Sequence, residues 1–208
     1  MKRTKAILYI DGENFLHRVE EALRNAKKIN EKTQITKLAI RHMVLQIVPE
    51  YKDIEIRYYG TKVRLADIDD KTVLKRAETI AESQRRLKRN LTNQSIDFVT
   101  AGSLRVREVH CRHCNKRTLV FKEKGVDVRM AVDIIEDAKS NVHQIIVSSD
   151  SDLLPAINVA RYTKKARIMY VHHAEQPNYA MIKASHESRV YTNNQIMQAY
   201  ATANKEKL

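Results

Sequence analysis

Short apolar runs alternate along this chain with longer segments whose apolar residues recur every three or four positions. The short runs predict buried strands, and the longer segments predict helices. Predicted strands cover residues 6–10, 53–59, 96–100 and 166–171, with one more that begins at Ile145. Predicted helices start near residue 15 and cover about 36–48, 67–91 and 126–139, with another that ends near 163.

This alternation predicts an α/β fold. Strands separated by helices of ten or more residues favour a mainly parallel sheet of about five strands, joined by right-handed crossovers. Two runs, 104–109 and 117–121, flank a Cys-x-x-Cys segment and predict a β-hairpin insertion over about 103–122. We expect one domain over 4–171, with 172–208 as a C-terminal helical extension packed on it.

Acidic residues follow the predicted strands at their carboxyl ends. Asp11 comes after the first strand, and Asp150 and Asp152 come after the strand that begins at Ile145. In parallel sheets the working crevice lies outside these strand ends, so the three carboxylates are expected to face it. Capping and turn roles explain each acid singly, since Asp152 suits an N-cap and Asp150 a turn.

A fourth acid comes from the segment that begins Lys124-Gly125-Val126-Asp127. On a helical wheel at about 100° per residue, Asp127 falls near the centre of the apolar arc, and Asp133 falls on the other side. A carboxylate on the core-facing stripe is unfavourable unless it is paired, hydrogen-bonded or bound to metal. A cap in the first turn, where the helix dipole favours an anion, is the structural alternative.

The charge of the chain favours a polyanionic partner. Lys and Arg number 38 against 25 acids, a formal net charge of +13. Nucleic acid fits this surplus better than a membrane surface, because the cations are dispersed and not concentrated on one amphipathic segment. No apolar run approaches the roughly 20 residues of a membrane span, and the first residues lack a signal-peptide pattern. We therefore expect a cytoplasmic protein.

Three ordered motifs carry a resemblance to the NYN domain family, relatives of the PIN-domain nucleases. They are Asp11-Gly12-Glu13-Asn14 after a strand, Lys124-Gly125-Val126-Asp127-Val128, and Ser149-Asp150-Ser151-Asp152. The resemblance covers roughly residues 4–171. It implies a Rossmann-like three-layer sandwich and an acidic cluster that binds Mg²⁺ or Mn²⁺ to cleave RNA, leaving a 5′-phosphate and a 3′-hydroxyl.

The resemblance also gives the site residues their expected roles. Divalent ions neutralise a phosphodiester and lower the pKa of a bound water, and they prefer oxygen ligands. We expect Asn14 to orient a carboxylate or water, Ser149 to hold a phosphate or water, and Lys124 to contact the backbone. The expected metal-binding and catalytic residues are Asp11, Asp127, Asp150 and Asp152. Some family members are regulatory, so the alternative is an NYN module that binds RNA or a partner with little or no cleavage.

Cys111 and Cys114 form half of a zinc site. A structural site needs two further ligands, and the chain has no second Cys pair. Completion by His110 or His113, sharing across a homo-oligomer, and two free thiols on a hairpin tip are the alternatives. A structural disulfide is disfavoured in a cytoplasmic protein.

Overall fold

The computed structural model describes residues 5–63, 70–110, 117–139 and 141–205. Within these ranges the chain forms a mixed α/β fold around one seven-stranded sheet. The strands are β1 Lys5–Asp11, β2 Glu55–Val63, β3 Asp97–His110, β4 Arg117–Lys124, β5 Val142–Val147, β6 Arg167–His173 and β7 Glu187–Tyr191. The helices are α1 Gly12–Asn25, α2 Ile40–Ile47, α3 Lys71–Asn93, α4 Val126–Asp137, α5 Leu154–Asn158, α6 Tyr179–Ala184 and α7 Asn193–Lys205.

The strands lie in the order β4-β3-β2-β1-β5-β6-β7. In the described ranges every neighbouring pair is parallel except β3 and β4. The predicted α/β class is therefore confirmed, whereas the predicted number of about five strands is too small. The two additional strands are β4, which the sequence assigned to an insertion, and β7, which lies in the segment expected to be helical.

The strand order reverses beside β1. From β1 the chain builds the sheet outward through β2 and β3, then returns to add β5, β6 and β7 on the other side. In open α/β sheets, ligands generally bind outside the carboxyl ends of the strands at such a reversal, here the ends of β1 and β5. The segments that follow both strands carry predicted acids.

Apolar side chains cover both faces of the sheet. Along β1, Ala6, Leu8 and Ile10 join one buried cluster, and Ile7 and Tyr9 join another, as expected where alternate side chains point to opposite faces. The first cluster also takes side chains from α1, α2, α3 and α7, and the second takes them from α4, α5 and α6. The position of β1 at the centre of both clusters holds its carboxyl end, and hence Asp11, firmly.

The hairpin differs from the predicted insertion. β3 is one continuous strand whose first part pairs with β2 and whose second part pairs with β4, from Ser103 opposite Lys124 to His110 opposite Arg117. The hairpin is thus an extension of the sheet edge. Cys111 and Cys114 lie outside the described residues, so zinc binding by this pair stays a prediction.

The segment after residue 171 is not purely helical. β7 pairs with β6 in parallel, and the expected boundary at residue 171 falls inside β6. α7 packs against α1 and α2 on the first face of the sheet. Among the described helices, none combines the length and the apolar character that crossing a membrane requires.

Candidate active site

Asp11 lies at the junction of β1 and α1. Its side chain is buried, with 3% of its surface exposed, and it caps α1 by accepting a hydrogen bond from the backbone N–H of Asn14. Gly12 makes this tight junction possible. A Cβ atom on Gly12 would lie 2.4 Å from Cε1 of Tyr58 and 2.4 Å from the carbonyl oxygen of Tyr59. The glycine of the first motif therefore allows α1 to begin against the end of β2.

Two side chains fix the second oxygen of Asp11. Nδ2 of Asn14 donates to Oδ2 of Asp11 at 2.5 Å, and the hydroxyl of Ser148 donates to the same oxygen at 2.9 Å. Ser148 was not among the predicted site residues. It is buried at the first position after β5, and its place directly after an apolar run is the sequence signal that could have identified it.

The loop after β5 places the remaining strand-end acids. Asp150 caps the short 3-10 turn of Ser151–Leu153 by accepting from the backbone N–H of Asp152 at 2.9 Å. Asp152 itself is exposed in the first turn. The sequence suggested Asp152 as the N-cap and Asp150 as a turn residue, but in the structure Asp150 is the N-cap.

Ser149 contacts the first motif from this loop. Its hydroxyl donates to Oδ1 of Asn14, and its carbonyl oxygen accepts a hydrogen bond from Nδ2 of Asn178 at 3.1 Å. Asn178 in turn caps α6 through Ala180 and Met181. The loop is therefore held between α1 and α6, with Asn14 bridging Asp11 and Ser149.

Asp127 is exposed, and the prediction that it lies on a core-facing stripe is wrong. The buried positions of α4 are Val126, Met130, Asp133 and Ile134, and the buried acid is Asp133, at 6% exposure. Val126, in the same first turn, is buried, whereas Val128 is 69% exposed. The buried face of α4 is therefore rotated away from the predicted apolar arc, and Asp127 lies outside it.

The pKa of Asp127 connects the four predicted acids. Partial burial raises the pKa of its carboxyl, and the negative charges of Asp150, Asp11 and Asp152 raise it further, in that order. Like charges raise the pKa of a carboxyl only when they lie near it. The structure thus brings the three segments into one negative field.

Two further glutamates, Glu13 and Glu123, belong to this field, and neither is among the predicted site residues. Burial raises the pKa of Glu123 to about 7, and the charges of Glu13, Asp11 and Asp127 raise it too, against an opposing effect of Lys32. Glu13 stands in the first motif. Glu123 lies two residues after Phe121 in β4. The two-residue period of a strand could have indicated that both side chains face the same side of the sheet.

Glu13 and Lys124 lie near the four acids and have exposed side chains. Lys32 forms an ion pair with Glu13 at 2.5 Å. Lys124 ends β4 with an exposed side chain, and within the described ranges it makes no ion pair with any of the acids. The expected contact of Lys124 with a phosphate stays a prediction.

The chemistry of these donors fits a hard divalent cation, although they do not form a closed cage. Among the residues that the structure describes, no three His, Cys, Asp or Glu side chains are gathered closely enough to hold a metal ion. Mg²⁺ keeps several of its waters and is commonly bound by one or two carboxylates plus substrate phosphate. The raised pKa of Asp127 shows negative charge that a cation would neutralise. One or two of the carboxylates of Asp11, Asp127, Asp150 and Asp152 would hold such an ion, with water and substrate phosphate as its other ligands.

The fold and this edge define a mixed α/β protein with a carboxylate-rich edge where the order of its parallel strands reverses. The family model of the NYN domain matches residues 5–192, so the chain belongs to the NYN domain family. This is a PIN-like nuclease family. The match covers nearly the whole chain and includes β7, in agreement with the structure.

Among solved structures, a protein of unknown function from Vibrio parahaemolyticus RIMD 2210633 has a similar fold. It shares 14% sequence identity with this chain at a TM-score of 0.56, and the similarity covers 91% of this chain and 94% of the other. At this identity the similarity concerns the fold alone. No protein with a curated description matches the chain.

Proposed function

We propose that this protein is a metal-dependent ribonuclease whose acids at the carboxyl edge of the sheet bind Mg²⁺ or Mn²⁺ for phosphodiester hydrolysis. The observation that carries the proposal is the raised pKa of Asp127, caused in part by Asp150, Asp11 and Asp152. Carboxylates from three distant segments repel one another here. Such an arrangement is unfavourable without a cation, and helix capping alone does not require these acids to be near one another.

The chain's own residues divide the work. When bound, the divalent ion neutralises the phosphodiester and lowers the pKa of the attacking water. Asp11 is held by Asn14 and Ser148, so one carboxylate is oriented before substrate arrives. Asp127 and Asp152 are exposed and free to adjust toward the ion and the scissile phosphate.

The sheet supports the same assignment. Counted along the chain, the six parallel strands of the described ranges lie in the order 3-2-1-4-5-6, which is that of a Rossmann-like doubly wound sheet. In our proposal the helices on its two faces are the outer layers of a three-layer sandwich. The edge at the strand reversal is then where a phosphate-containing substrate binds.

Nucleic acid as the substrate class is supported by charge. The exposed face of α3 is strongly basic, although Arg85 and Arg86 are partly neutralised by Glu82. Neutralised phosphates release counterions, so a surplus of +13 favours a polyanion. The basic side chains of α3 that are exposed are Lys71, Lys75, Arg76, Arg85, Arg86, Lys88 and Arg89.

One observation favours a second function, a module that binds RNA without cleaving it. Asp11 and Asp150 both act as caps, and in the described part of the chain no three acids are close enough to hold a metal. Such a module would bind RNA in a salt-dependent manner and would be indifferent to Mn²⁺.

Cleavage assays separate the two functions. Labelled single-stranded, hairpin and duplex RNA and matching DNA are incubated with the wild type and with Asp150→Asn, in Mn²⁺ or in EDTA. An Asn at this position can still accept the hydrogen bond from Asp152, so the loop should keep its shape. Asp97→Asn is the matched control, because Asp97 is exposed at the opposite, amino-terminal edge of the sheet.

The proposal expects RNA cleavage in Mn²⁺ that EDTA abolishes, that Asp150→Asn lowers by about 100-fold or more, and that Asp97→Asn leaves unchanged. Equal cleavage by the wild type and Asp150→Asn would contradict the site. Salt-sensitive RNA binding without cleavage in any condition would support the second function.

A further inference from the structure

A groove of about 630 Å³ opens beside the acids, between α1, α3 and the β3–β4 hairpin. This volume is within the range of about 300–1,000 Å³ that is typical of sites for small molecules and parts of larger ligands. Its walls are largely apolar. The apolar wall residues are Leu16, Ile35, Ile80, Leu87, Leu104 and Phe121.

The groove and the candidate active site share a border. Glu13 and Glu123 line the groove, and Glu123 lies in the electrostatic field of Asp11 and Asp127. A ligand that places a phosphate at the acids therefore has the groove directly beside that phosphate.

The border also carries an aromatic ring and two cations. Phe121 is partly buried, and the guanidinium of Arg76 lies 5.5 Å from the centre of its ring. Lys32 lines the same groove, where it is paired with Glu13. Arg76 makes no ion pair among the described residues, so it suits a ligand that is apolar in part and carries negative charge nearby.

A few hydrogen-bonding groups lie among the apolar residues of the groove walls. Thr61 is buried in the wall, at 4% exposure. The amide of Gln84 has no hydrogen-bond partner within the described residues, and it presents both donors and an acceptor. Flat apolar walls with a few amide and hydroxyl groups suit a heteroaromatic ring with polar edges.

We propose that this groove receives one unpaired nucleobase of the RNA strand that is cleaved at the acids, with the base in contact with the ring of Phe121. The proposal rests on the proposed function for its substrate class. Stacking on an aromatic side chain is a general mode of recognition for unpaired bases. Tyr58 and Tyr59 cannot serve, since both are buried in the sheet, at 2% and 0% exposure.

The consequence for specificity is a preference for single-stranded RNA. A base that enters the groove must leave its helix, so a duplex would have to be opened first, and unstacking and unpairing the base costs free energy. A paired base presents no free face to Phe121. Hairpin loops and single strands should therefore bind and be cleaved ahead of duplexes.

Fluorescence of 2-aminopurine tests the groove without requiring cleavage. A single-stranded RNA with 2-aminopurine at one position, moved stepwise along the strand, is mixed with excess protein in EDTA, and stacking is measured as quenching. Anisotropy of an end label measures binding of the same strands. Phe121→Leu removes the ring, and Ser83→Phe fills the groove from α3 without removing any side chain of β4.

Tyr162→Leu is the matched control. Tyr162 is an exposed aromatic residue with a guanidinium, that of Arg161, 4.9 Å from its ring centre, but it lies outside the groove. We expect protein-induced quenching at one position of the wild-type complex. We expect Phe121→Leu and Ser83→Phe to lose this quenching, and Phe121→Leu to weaken binding roughly 5- to 100-fold. Tyr162→Leu should match the wild type.

RNA binding with no quenched position, or equal quenching in Phe121→Leu and the wild type, would overturn the proposal, and so would a complete lack of RNA binding. A parallel cleavage assay in Mn²⁺ keeps the two proposals distinct. Cleavage without quenching would reject the groove and leave the nuclease intact. Quenching without cleavage would support the groove and reject the nuclease.

Discussion

The hydroxyl of Ser148 donates a hydrogen bond to Oδ2 of Asp11 at 2.9 Å, joining the ends of two adjacent parallel strands. A second contact, from Ser149 to Asn14, joins the same two loops. The first and third sequence motifs are therefore in contact in the structure, although the chain between them forms several other strands of the sheet. Both contacts fix the orientation of the Asp11 carboxylate, the first directly and the second through Asn14.

Ser148→Ala should lower activity and also cost about 1–3 kcal/mol of stability, because the buried hydroxyl accepts from the backbone N–H of Asp150 at 3.0 Å. Loss of the hydroxyl leaves Oδ2 of Asp11 to Asn14 alone, and loss of such an orienting hydrogen bond typically lowers metal affinity or activity about 10- to 100-fold. Ser151→Ala in the same loop is the control, since its exposed side chain makes no hydrogen bond to the acids among the described residues. Mn²⁺ titrations of the cleavage rate measure the effect. Equal Mn²⁺ dependence in both variants would show that Ser148 has no orienting role.

Asp127→Ala and Asp133→Ala should have opposite effects, although the two residues are in the same helix. Asp133 is buried and accepts from the hydroxyl of Tyr59 and from Nε of Arg129, each at 2.9 Å. Its loss should lower the free energy of unfolding by about 1–3 kcal/mol and leave cleavage intact while the protein is folded. Asp127→Ala should abolish cleavage and leave stability within about 0.5 kcal/mol. Denaturation and cleavage assays on both variants decide, and the reverse pattern would refute the assignment.

Glu123→Gln should become more stabilising as pH rises. The pKa of Glu123 is about 7 in the folded protein, against 4.5 ordinarily, because of burial and the charges of Glu13, Asp11 and Asp127, with Lys32 acting oppositely. Between these values the folded state binds more protons than the unfolded state, so this group lowers wild-type stability as pH rises through the window.

The difference in unfolding free energy between Glu123→Gln and the wild type should therefore grow from pH 4.5 to 7. Above pH 7 it should level off, at a value on the order of 1 kcal/mol after allowance for solvent screening. Denaturant titrations in EDTA at several pH values measure it. A difference that stays constant, or that shrinks as pH rises, would contradict the environment described for Glu123.

Gly12→Ala should impair both stability and activity. The added Cβ would meet Cε1 of Tyr58 and the carbonyl oxygen of Tyr59, each at 2.4 Å, and neither can move without shifting β2. Such overpacking typically costs about 1–3 kcal/mol. Since relief requires α1 to move, Asp11 should lose its position as well. Cleavage should fall further than in Asp133→Ala at equal fractions of folded protein, and equal cleavage would show that the junction tolerates the shift.

Local patterns were enough to predict the α/β class and the strand-end position of Asp11 and Asp150. Apolar runs followed by acidic turns are local signals, and parallel strands place their carboxyl ends on one edge. The contacts between side chains across that edge could not be predicted from local sequence patterns. Glu123 enters the site only because β4 pairs antiparallel with β3 and places it opposite Leu104, a register that no local pattern encodes.

The misplacement of Asp127 has a specific physical cause. A wheel assumes that apolar residues mark the buried face, but Val128 of α4 is 69% exposed. The buried face instead contains Val126, Met130 and Ile134. Asp127 is therefore exposed, while Asp133 is buried and accepts a hydrogen bond from Tyr59. β7 was not predicted for a different reason. Its run Glu187–Tyr191 has only a weak alternation of polar and apolar residues, and it is flanked by helices.

The most direct test of the account is a double-mutant cycle on Mn²⁺-dependent RNA cleavage. Asp127→Asn, Asp150→Asn and the double variant are compared with the wild type under single-turnover conditions. If the acids form one metal site, each single change lowers the rate by about 100-fold or more, and the double change lowers it little further, because residues that act as a unit are not additive. Wild-type rates in the single variants, or losses that multiply in the double variant, would contradict a shared site.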